Sequence, residues 1–221
     1  MADTQGTSTT TLITGSHSDY AIRRKQHLAL INQLRAIGAQ ADLDLPRIAV
    51  IGNQSAGKSS LVEAISGISV PRDAGTCTRC PMECRLASSS ESWSCQIYIR
   101  WEFDVNGIQE EQVEEISFGP ILTDKEDVEL ALRRAQAAVL NPGIDQSNFL
   151  GRSESDLKQM KNQLKFSRNA VCLDLSGPNL MDLAFVDLPD PETVLLVEDL
   201  VTSNIKGNCL ILVTLPMSGT L

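Results

Sequence analysis

The pattern of apolar and polar positions begins with an amphipathic helix. From Asp19 to Ala41 the apolar residues recur at the spacing of one helical face, and polar residues fill the other face. The apolar set is Ile22, Leu28, Ile31, Leu34 and Ile37. This helix packs either on its own domain or against a partner segment, and an exposed apolar stripe would mark such a partner. Residues 1–18, which are small and polar, are predicted to form a disordered tail that precedes a helical unit over residues 19–44.

Short apolar runs bounded by turn residues follow the helix and predict strands. The predicted strands are Arg47–Ile51, Met82–Leu86, Cys95–Phe103, Val171–Leu175, Leu183–Val186 and Cys209–Leu215. Further helices are predicted at Leu61–Ile65, Asp124–Leu140 and Pro191–Ile205, with a short one inside Gly151–Lys165. Strands that alternate with helices favour an α/β fold, with a mostly parallel central sheet and helices on both faces. The last strand has the composition of a buried strand, but the strands expected beyond it are missing, so an unpaired apolar edge is predicted there.

Composition narrows the class of protein. The 221 residues are 42% hydrophobic, which is typical of one globular domain with a sizeable core. The net charge of −9, with Lys and Arg scattered, argues against nucleic-acid binding. The chain has neither a long apolar run that would span a membrane nor a signal peptide, so a cytoplasmic protein with reduced cysteines is expected.

Three cysteines are close enough in sequence to raise the question of zinc. Cys77, Cys80 and Cys84 have the spacing C-x-x-C-x-x-x-C. A structural zinc site needs four ligands, and the sequence offers neither a second close pair nor a histidine nearby. Reduced thiols are therefore favoured over a zinc site.

Residues 52–60 carry the strongest chemical signal in the chain, because they fit the phosphate-loop pattern G-x-x-x-x-G-K-[ST]. Two glycines, Gly52 and Gly57, let backbone N–H groups turn inward around a phosphate. Lys58 would reach the β- and γ-phosphates, and the hydroxyl of Ser59 would bind Mg²⁺. The predicted nucleotide-binding residues are Gly52, Asn53, Gln54, Ser55, Ala56, Gly57, Lys58, Ser59, Ser60 and Asp187.

Two residues far along the chain complete the predicted magnesium site. Thr78 lies 20 residues after Lys58 in a loop, where a threonine would join the Mg²⁺ shell and order the loop around the γ-phosphate. Asp187 ends an apolar strand and would hold Mg²⁺ through water. The predicted metal site is therefore Ser59, Thr78 and Asp187.

Together these motifs resemble the dynamin superfamily of large GTPases, in particular its fungal or myxovirus-resistance-like members. The resemblance rests on Leu45-Pro46-Arg47-Ile48-Ala49-Val50-Ile51 with residues 52–60, on Thr78-Arg79-Cys80-Pro81, on Leu175-Ser176-Gly177-Pro178-Asn179-Leu180 and on Val186-Asp187-Leu188-Pro189. It extends from Leu28 to Leu215, the first part of a dynamin-type molecule. Residues 45–221 are thus interpreted as a partial dynamin-type G domain.

The resemblance implies roles for individual residues. Gln54 would position the attacking water, and Ser55 would hold a monovalent cation in place of an arginine finger. The main-chain carbonyl of Thr78 would also hold this water. These three would be the catalytic residues, acting on GTP with Mg²⁺.

The resemblance also implies properties of the full-length relatives. They form dimers through their G domains, and they couple GTP hydrolysis to self-assembly and membrane remodelling. Membranes or microtubules are implied as partners, in the cytoplasm or peripherally at membranes. The N-terminal helix resembles the first element of a three-helix signalling bundle.

The sequence departs from the family in two places. Asp187-Leu188-Pro189-Asp190 replaces Asp-x-x-Gly, and a carboxylate about 4 Å from a phosphate charge costs ~4 kcal/mol at an effective dielectric of ~20. Asp190 is alternatively the N-cap of the next helix. The guanine motif [NT]-K-x-D has only Asp124-Lys125-Glu126-Asp127 as a candidate, which lacks the first residue and precedes Asp187.

These departures leave several hypotheses open. They are a GTPase, a nucleotide-dependent interaction module without turnover, a non-functional product of a deletion, and an ATP-using phosphate-loop enzyme. A phosphate loop alone does not distinguish GTP from ATP.

Overall fold

The structure is a computed structural model that describes residues 13–39, 43–53, 56–71, 78–161, 163–189, 201–202, 204–205 and 207–216. Four helices and seven strands make up most of it. In chain order they are α1 (Ile13–Ala36), β1 (Arg47–Gly52), α2 (Lys58–Ser66), β2 (Met82–Ser88), β3 (Ser94–Phe103), β4 (Gln109–Ser117), α3 (Val128–Val139), α4 (Glu154–Gln159), β5 (Ala170–Gly177), β6 (Leu183–Asp187) and β7 (Cys209–Thr214).

The seven strands form one sheet in the order β4-β3-β5-β2-β6-β1-β7. Strand β1 runs parallel to β6 and β7, and β2 runs parallel to β5. The pairs β2–β6, β3–β5 and β3–β4 are antiparallel. The predicted α/β architecture is confirmed, and the sheet is mixed where a mostly parallel one was expected. One cause is that β3 and β4 are joined by a tight turn, which connects antiparallel strands only.

Strand β4 was missing from the sequence-based predictions. Its side chains are mostly exposed and acidic, so the strand lacks the apolar alternation that reveals a half-buried strand. The turn before it did carry a signal, because Asn106-Gly107 is a strong hairpin dipeptide. Gly107 adopts a positive φ of 77°, and the carboxylate of Asp104 accepts the N–H groups of Asn106 and Ile108, each at 2.8 Å.

The two faces of the sheet are covered by different helices. On one face, α2 and α3 contribute Val62 and Leu132 to an apolar core that also contains Phe185 of β6, and all three side chains are fully buried. On the other face α1 lies over β2, where Arg35 reaches Glu83. The predicted placement of helices on both faces is therefore confirmed.

A buried network of charges lies beneath α1. Glu83 pairs with Arg35 at 3.4 Å, with Arg85 at 3.2 Å and with Arg100. Arg85 also contacts Glu115 of β4 at 2.6 Å. Burial alone would raise the pKa of Glu83, but the charges of the three arginines outweigh it and hold that pKa well below its usual range. The network joins α1, β2, β3 and β4 through charge rather than apolar contact.

Helix α1 differs in its bounds from the predicted Asp19–Ala41. It begins at Ile13, so part of the predicted disordered tail is helical, and it ends at Ala36. Gly38 explains the early end, because its φ of 80° is left-handed. A Cβ at this position would also lie 2.5 Å from Cγ2 of Val113.

The apolar stripe of α1 is only partly covered. Leu28, Ile31 and Leu34 are half-buried, whereas Ile22 and Ile37 are 53% and 70% exposed. A groove of about 550 Å³ runs between α1 and the strands β1, β6 and β7. A partner segment for this stripe stays a prediction. Among the described helices, none has the length and apolar content needed to cross a lipid bilayer.

The other predicted helices agree with the structure where it describes them. Helix α2 contains the predicted Leu61–Ile65, and α3 follows a short 3-10 turn at Lys125–Asp127 and ends before Asn141. The predicted helix Pro191–Ile205 lies mostly outside the described residues, although residues 201–202 and 204–205 are helical.

Strand β7 lies at the edge of the sheet that the structure describes, where it pairs only with β1. Leu210 and Val213 are 59% and 58% exposed. The unpaired apolar edge predicted for this strand is confirmed.

Candidate nucleotide-binding site

The phosphate loop joins the end of β1 to the start of α2. Gly57 precedes the helix with a left-handed φ of 95°, which favours glycine. The first N–H groups of α2 point out of its N-terminus, where a helix attracts anions. Gln54 and Ser55, the predicted water-positioning and cation-binding residues, lie outside the described residues.

Gly52 is held close to the edge strand β7. A Cβ at this position would lie 2.2 Å from Oγ1 and 2.7 Å from the carbonyl oxygen of Thr214. The hydroxyl of Thr214 in turn donates to the carbonyl of Ile51 at 3.3 Å. The first glycine of the loop is therefore required by close packing against β7, a reason that the motif alone did not supply.

Lys58 curls back over the loop. Its ammonium group donates to the carbonyl of Gly52 and, at 3.2 Å, to that of Asn53, and only 8% of the residue is exposed. The cation is therefore held beside the loop backbone. The next two residues, Ser59 and Ser60, lie in the first turn of α2, half-buried and exposed respectively.

The structure brings Thr78 and Asp187 together. The hydroxyl of Thr78 donates to Oδ2 of Asp187 at 3.1 Å, although the two residues are 109 positions apart. Asp187 ends β6 next to β1, because Val50 and Asp187 are register partners. The two distant residues of the predicted magnesium site are therefore neighbours.

The carboxyl group of Asp187 is buried, and a bound cation would stabilise its charged form. Burial raises the pKa of Asp187 to about 7, while the charge of Lys58 and the hydrogen bond from Thr78 act in the opposite direction. Oδ1 is buried and has no hydrogen-bond partner among the described residues. A buried oxygen without a partner is costly, and a hydrated cation would satisfy it. The site therefore fits Mg²⁺.

Arg79 is a residue of the site that sequence analysis treated only as part of a motif. Its guanidinium donates to the carbonyls of Lys165, at 3.0 Å, and Leu164, and to Oε1 of Gln163 at 3.0 Å. Its position next to Thr78 was the only indication in the sequence that Arg79 matters. The oxygens that accept its hydrogen bonds lie more than 80 residues away, in a segment without a recognisable pattern.

The cysteines do not form a metal centre in the part of the chain that the structure describes. No three side chains of His, Cys, Asp or Glu are grouped there as a metal site requires. Cys80 and Cys84 are buried free thiols, and burial raises the pKa of Cys80 to about 12. Cys77 lies outside the described residues.

Comparison with known proteins shows the family of the chain. Residues 48–220 match the Dynamin family. The chain is 32% identical over 176 residues to the interferon-induced GTP-binding protein Mx of Dicentrarchus labrax, covering 78% of this chain and 21% of that protein. It is 34% identical over 174 residues to the interferon-induced GTP-binding protein Mx2 of Mus musculus, with coverage of 78% and 21%. Protein Mx1 of Mus musculus is 35% identical over 162 residues, with coverage of 72% and 32%.

The match has a clear extent. It includes β1, the phosphate loop, Thr78 and Asp187, and it runs to the end of the described sheet. The chain spans only about a fifth of the length of the first two relatives. With the α/β phosphate-loop fold and a family match over most of its residues, the chain belongs to the dynamin family.

Proposed function

We propose that the chain binds GTP together with Mg²⁺ at the phosphate loop. One observation carries this proposal: the hydroxyl of Thr78 lies 3.1 Å from the buried carboxylate of Asp187, whose other oxygen has no partner among the described residues. Lys58 contributes positive charge to this site, because its charge lowers the pKa of Asp187. The names of the relatives describe GTP-binding proteins, which supports GTP over ATP as the ligand.

Some residues of the proposed site would bind the phosphates, and others would bind the metal. Lys58 and the N–H groups at the start of α2 would bind the phosphates, and Ser59, Thr78 and Asp187 would hold Mg²⁺, with Asp187 acting through water. Mg²⁺ supplies positive charge that neutralises the phosphates when it is bound. Asp187 then stays ionised, because a nearby cation favours the charged form of a carboxyl group.

Hydrolysis is the second part of the proposal. Gln54 would orient the attacking water, Ser55 would hold a monovalent cation that stabilises the developing charge, and the carbonyl of Thr78 would hold the same water. G-domain dimerisation, self-assembly and contact with membranes or microtubules are proposals for the full-length protein by analogy with its family. The division into a tail, a helical unit at 19–44 and a partial G domain at 45–221 also remains a proposal.

A second candidate function is nucleotide-dependent contact without turnover. It is favoured by Asp190, which stands where the family has a glycine whose N–H donates to the γ-phosphate. The carboxylate of Asp190 repels phosphate, and its Cβ stands where the backbone of the family approaches the nucleotide closely. On this alternative the loop binds GTP and the bound state, rather than its hydrolysis, controls a partner.

Two measurements test these proposals. Fluorescent GTP with Mg²⁺ should bind the chain, and Lys58→Ala should abolish the binding, whereas Lys161→Ala, an exposed lysine outside the site, should leave it unchanged. Equal affinity for ATP would refute the choice of base. Turnover of GTP that is lost in both Gln54→Ala and Thr78→Ala would establish hydrolysis and exclude the second candidate, and binding without turnover would support that candidate.

A further inference from the structure

The chain just after Thr78 is attached to the segment 163–167 by both its side chain and its backbone. Arg79 donates to one oxygen on each of Gln163, Leu164 and Lys165. The carbonyl of Arg79 accepts the N–H of Ser167 at 2.9 Å. We call the side-chain contacts of Arg79 with residues 163–165 the Arg79 clamp.

The segment that receives the clamp is itself anchored. The N–H of Leu164 donates to the carbonyl of Leu140 at the end of α3, at 2.9 Å. Phe166 is 7% exposed and packs in an apolar cluster with Val186 and Leu188, the residues on either side of Asp187. The clamp therefore ties the residue after Thr78 to the same part of the core that holds Asp187.

The chemistry of the clamp is specific to arginine. The three acceptors are neutral oxygens on successive residues, and the planar guanidinium reaches each of them from a different nitrogen, a spread of donors that the single nitrogen of lysine does not have. Burial lowers the pKa of Arg79, as expected for a guanidinium that is partly withdrawn from water.

We propose that Arg79 is a positioning residue that keeps the hydroxyl of Thr78 within reach of Asp187, and so sets the Mg²⁺ dependence of nucleotide binding. This rests on the proposed GTP–Mg²⁺ function. Arg79 acts through Thr78: its donors are used on residues 163–165, and its contribution is to hold the backbone next to Thr78 in place.

The test compares Arg79→Lys with Arg152→Lys in the purified 221-residue chain. Arg152 is the matched control, because its guanidinium also donates to a backbone carbonyl, that of Asn148 at 3.2 Å, and it lies outside residues 163–171. One measurement is the Mg²⁺ concentration that gives half-maximal tightening of fluorescent GTP binding. The other is hydrogen exchange of the backbone amides of residues 163–171 without nucleotide. Gln163→Ala, which removes one acceptor, serves as a milder variant.

For Arg79→Lys, both the Mg²⁺ midpoint and the exchange rate of residues 163–171 should rise about tenfold, since the loss of one charged hydrogen bond has this effect. Affinity without Mg²⁺ should change by less than about twofold, because the phosphate loop is untouched. Gln163→Ala should shift both values by less, and Arg152→Lys should shift neither.

An unchanged Mg²⁺ midpoint in Arg79→Lys, with normal binding by the parent chain, would overturn the positioning role. If the parent chain itself binds no nucleotide, the proposed function fails instead, and the exchange measurement still decides the clamp. Unchanged exchange at residues 163–171 in Arg79→Lys would then refute it.

Discussion

The hydroxyl of Thr78 donates to Oδ2 of Asp187 at 3.1 Å, which joins the loop before β2 to the end of β6. Thr78→Ser keeps this hydroxyl and Thr78→Val removes it at nearly constant volume. We expect Thr78→Ser to retain Mg²⁺-dependent GTP binding and Thr78→Val to weaken it by about tenfold or more, because the carboxylate loses its donor and the metal loses a ligand. Titration with fluorescent GTP, with and without Mg²⁺, measures both. Similar weakening by serine and valine would contradict a role for the hydroxyl.

The contact between Arg35 and Glu83 is predicted to raise the free energy of unfolding. Arg35→Ala leaves Glu83 with two of its three arginines, so the loss should be about 1.5–3 kcal/mol, the contribution of a hydrogen bond to a charged group, and less than that of an unpaired buried charge. Arg24→Ala is the matched control, because Arg24 is 53% exposed and lies 3.7 Å from Asp182, and an exposed pair contributes about 0–1 kcal/mol. Urea unfolding followed by circular dichroism gives both values. Equal losses would mean that the buried network contributes no more than a surface contact.

The same network predicts a pH dependence. The arginines hold the pKa of Glu83 below its unfolded value of about 4.3, so Glu83 binds fewer protons in the folded chain than in the unfolded chain at mildly acidic pH. Its contribution to the free energy of unfolding is complete above about pH 4.3 and is lost as the pH falls towards the folded pKa. The stability difference between the parent chain and Glu83→Gln should therefore be largest near pH 7 and shrink below about pH 4. A difference that grows on acidification would contradict this sign.

Gly52 predicts a steric effect at the phosphate loop. Gly52→Ala places a Cβ 2.2 Å from the hydroxyl oxygen of Thr214 and 2.7 Å from its carbonyl oxygen. Overpacking of this kind costs about 1–3 kcal/mol and should also weaken nucleotide binding, since β1 and the loop must shift. At Gly143 an added Cβ meets no atom within 4 Å, so Gly143→Ala should change stability by less than about 0.5 kcal/mol. Thermal unfolding and GTP titration of the two variants test the contrast.

The edge strand β7 predicts self-association of the isolated chain. Val213 is 58% exposed on this edge, and a lysine there interrupts strand pairing between copies. Val213→Lys should raise the concentration at which light scattering detects aggregates, by roughly several fold. Val105→Lys is the control, because Val105 is 61% exposed but lies in the β3–β4 turn, outside the strands themselves. Equal benefit from both lysines would point to net charge as the cause.

Local pattern was enough to predict the elements that carry the site. The apolar run at Arg47–Ile51, the glycines of the loop and the strand that ends at Asp187 are each visible within a few residues, and the structure contains all of them. Thr78 and Asp187 were predicted to lie in one site because both are suitable magnesium ligands, and their spacing in the sequence gave no indication of it. The bounds of α1 were less accurate, because the left-handed turn at Gly38 outweighs the continuing apolar pattern.

What sequence could not provide depends on contacts between distant residues. The place of β2 between β5 and β6 is a matter of strand pairing and leaves no local trace. Strand β4 was missed because a run of exposed, acidic side chains is typical of a loop. The Asn106-Gly107 dipeptide before it did indicate a hairpin. Glu83 and Arg100 looked like ordinary polar positions, and only the fold shows that they neutralise each other.

The charge network also constrains the order of folding. Its members span residues 35–115 and come from α1, β2, β3 and β4. Glu83 cannot be buried cheaply until the arginines of the other elements arrive, and contacts at such sequence separation form slowly. While β4 is still inside the ribosome, Glu115 is not available to Arg85, and the charge network beneath α1 is incomplete. We expect the N-terminal helix, although synthesised first, to join the domain late in folding.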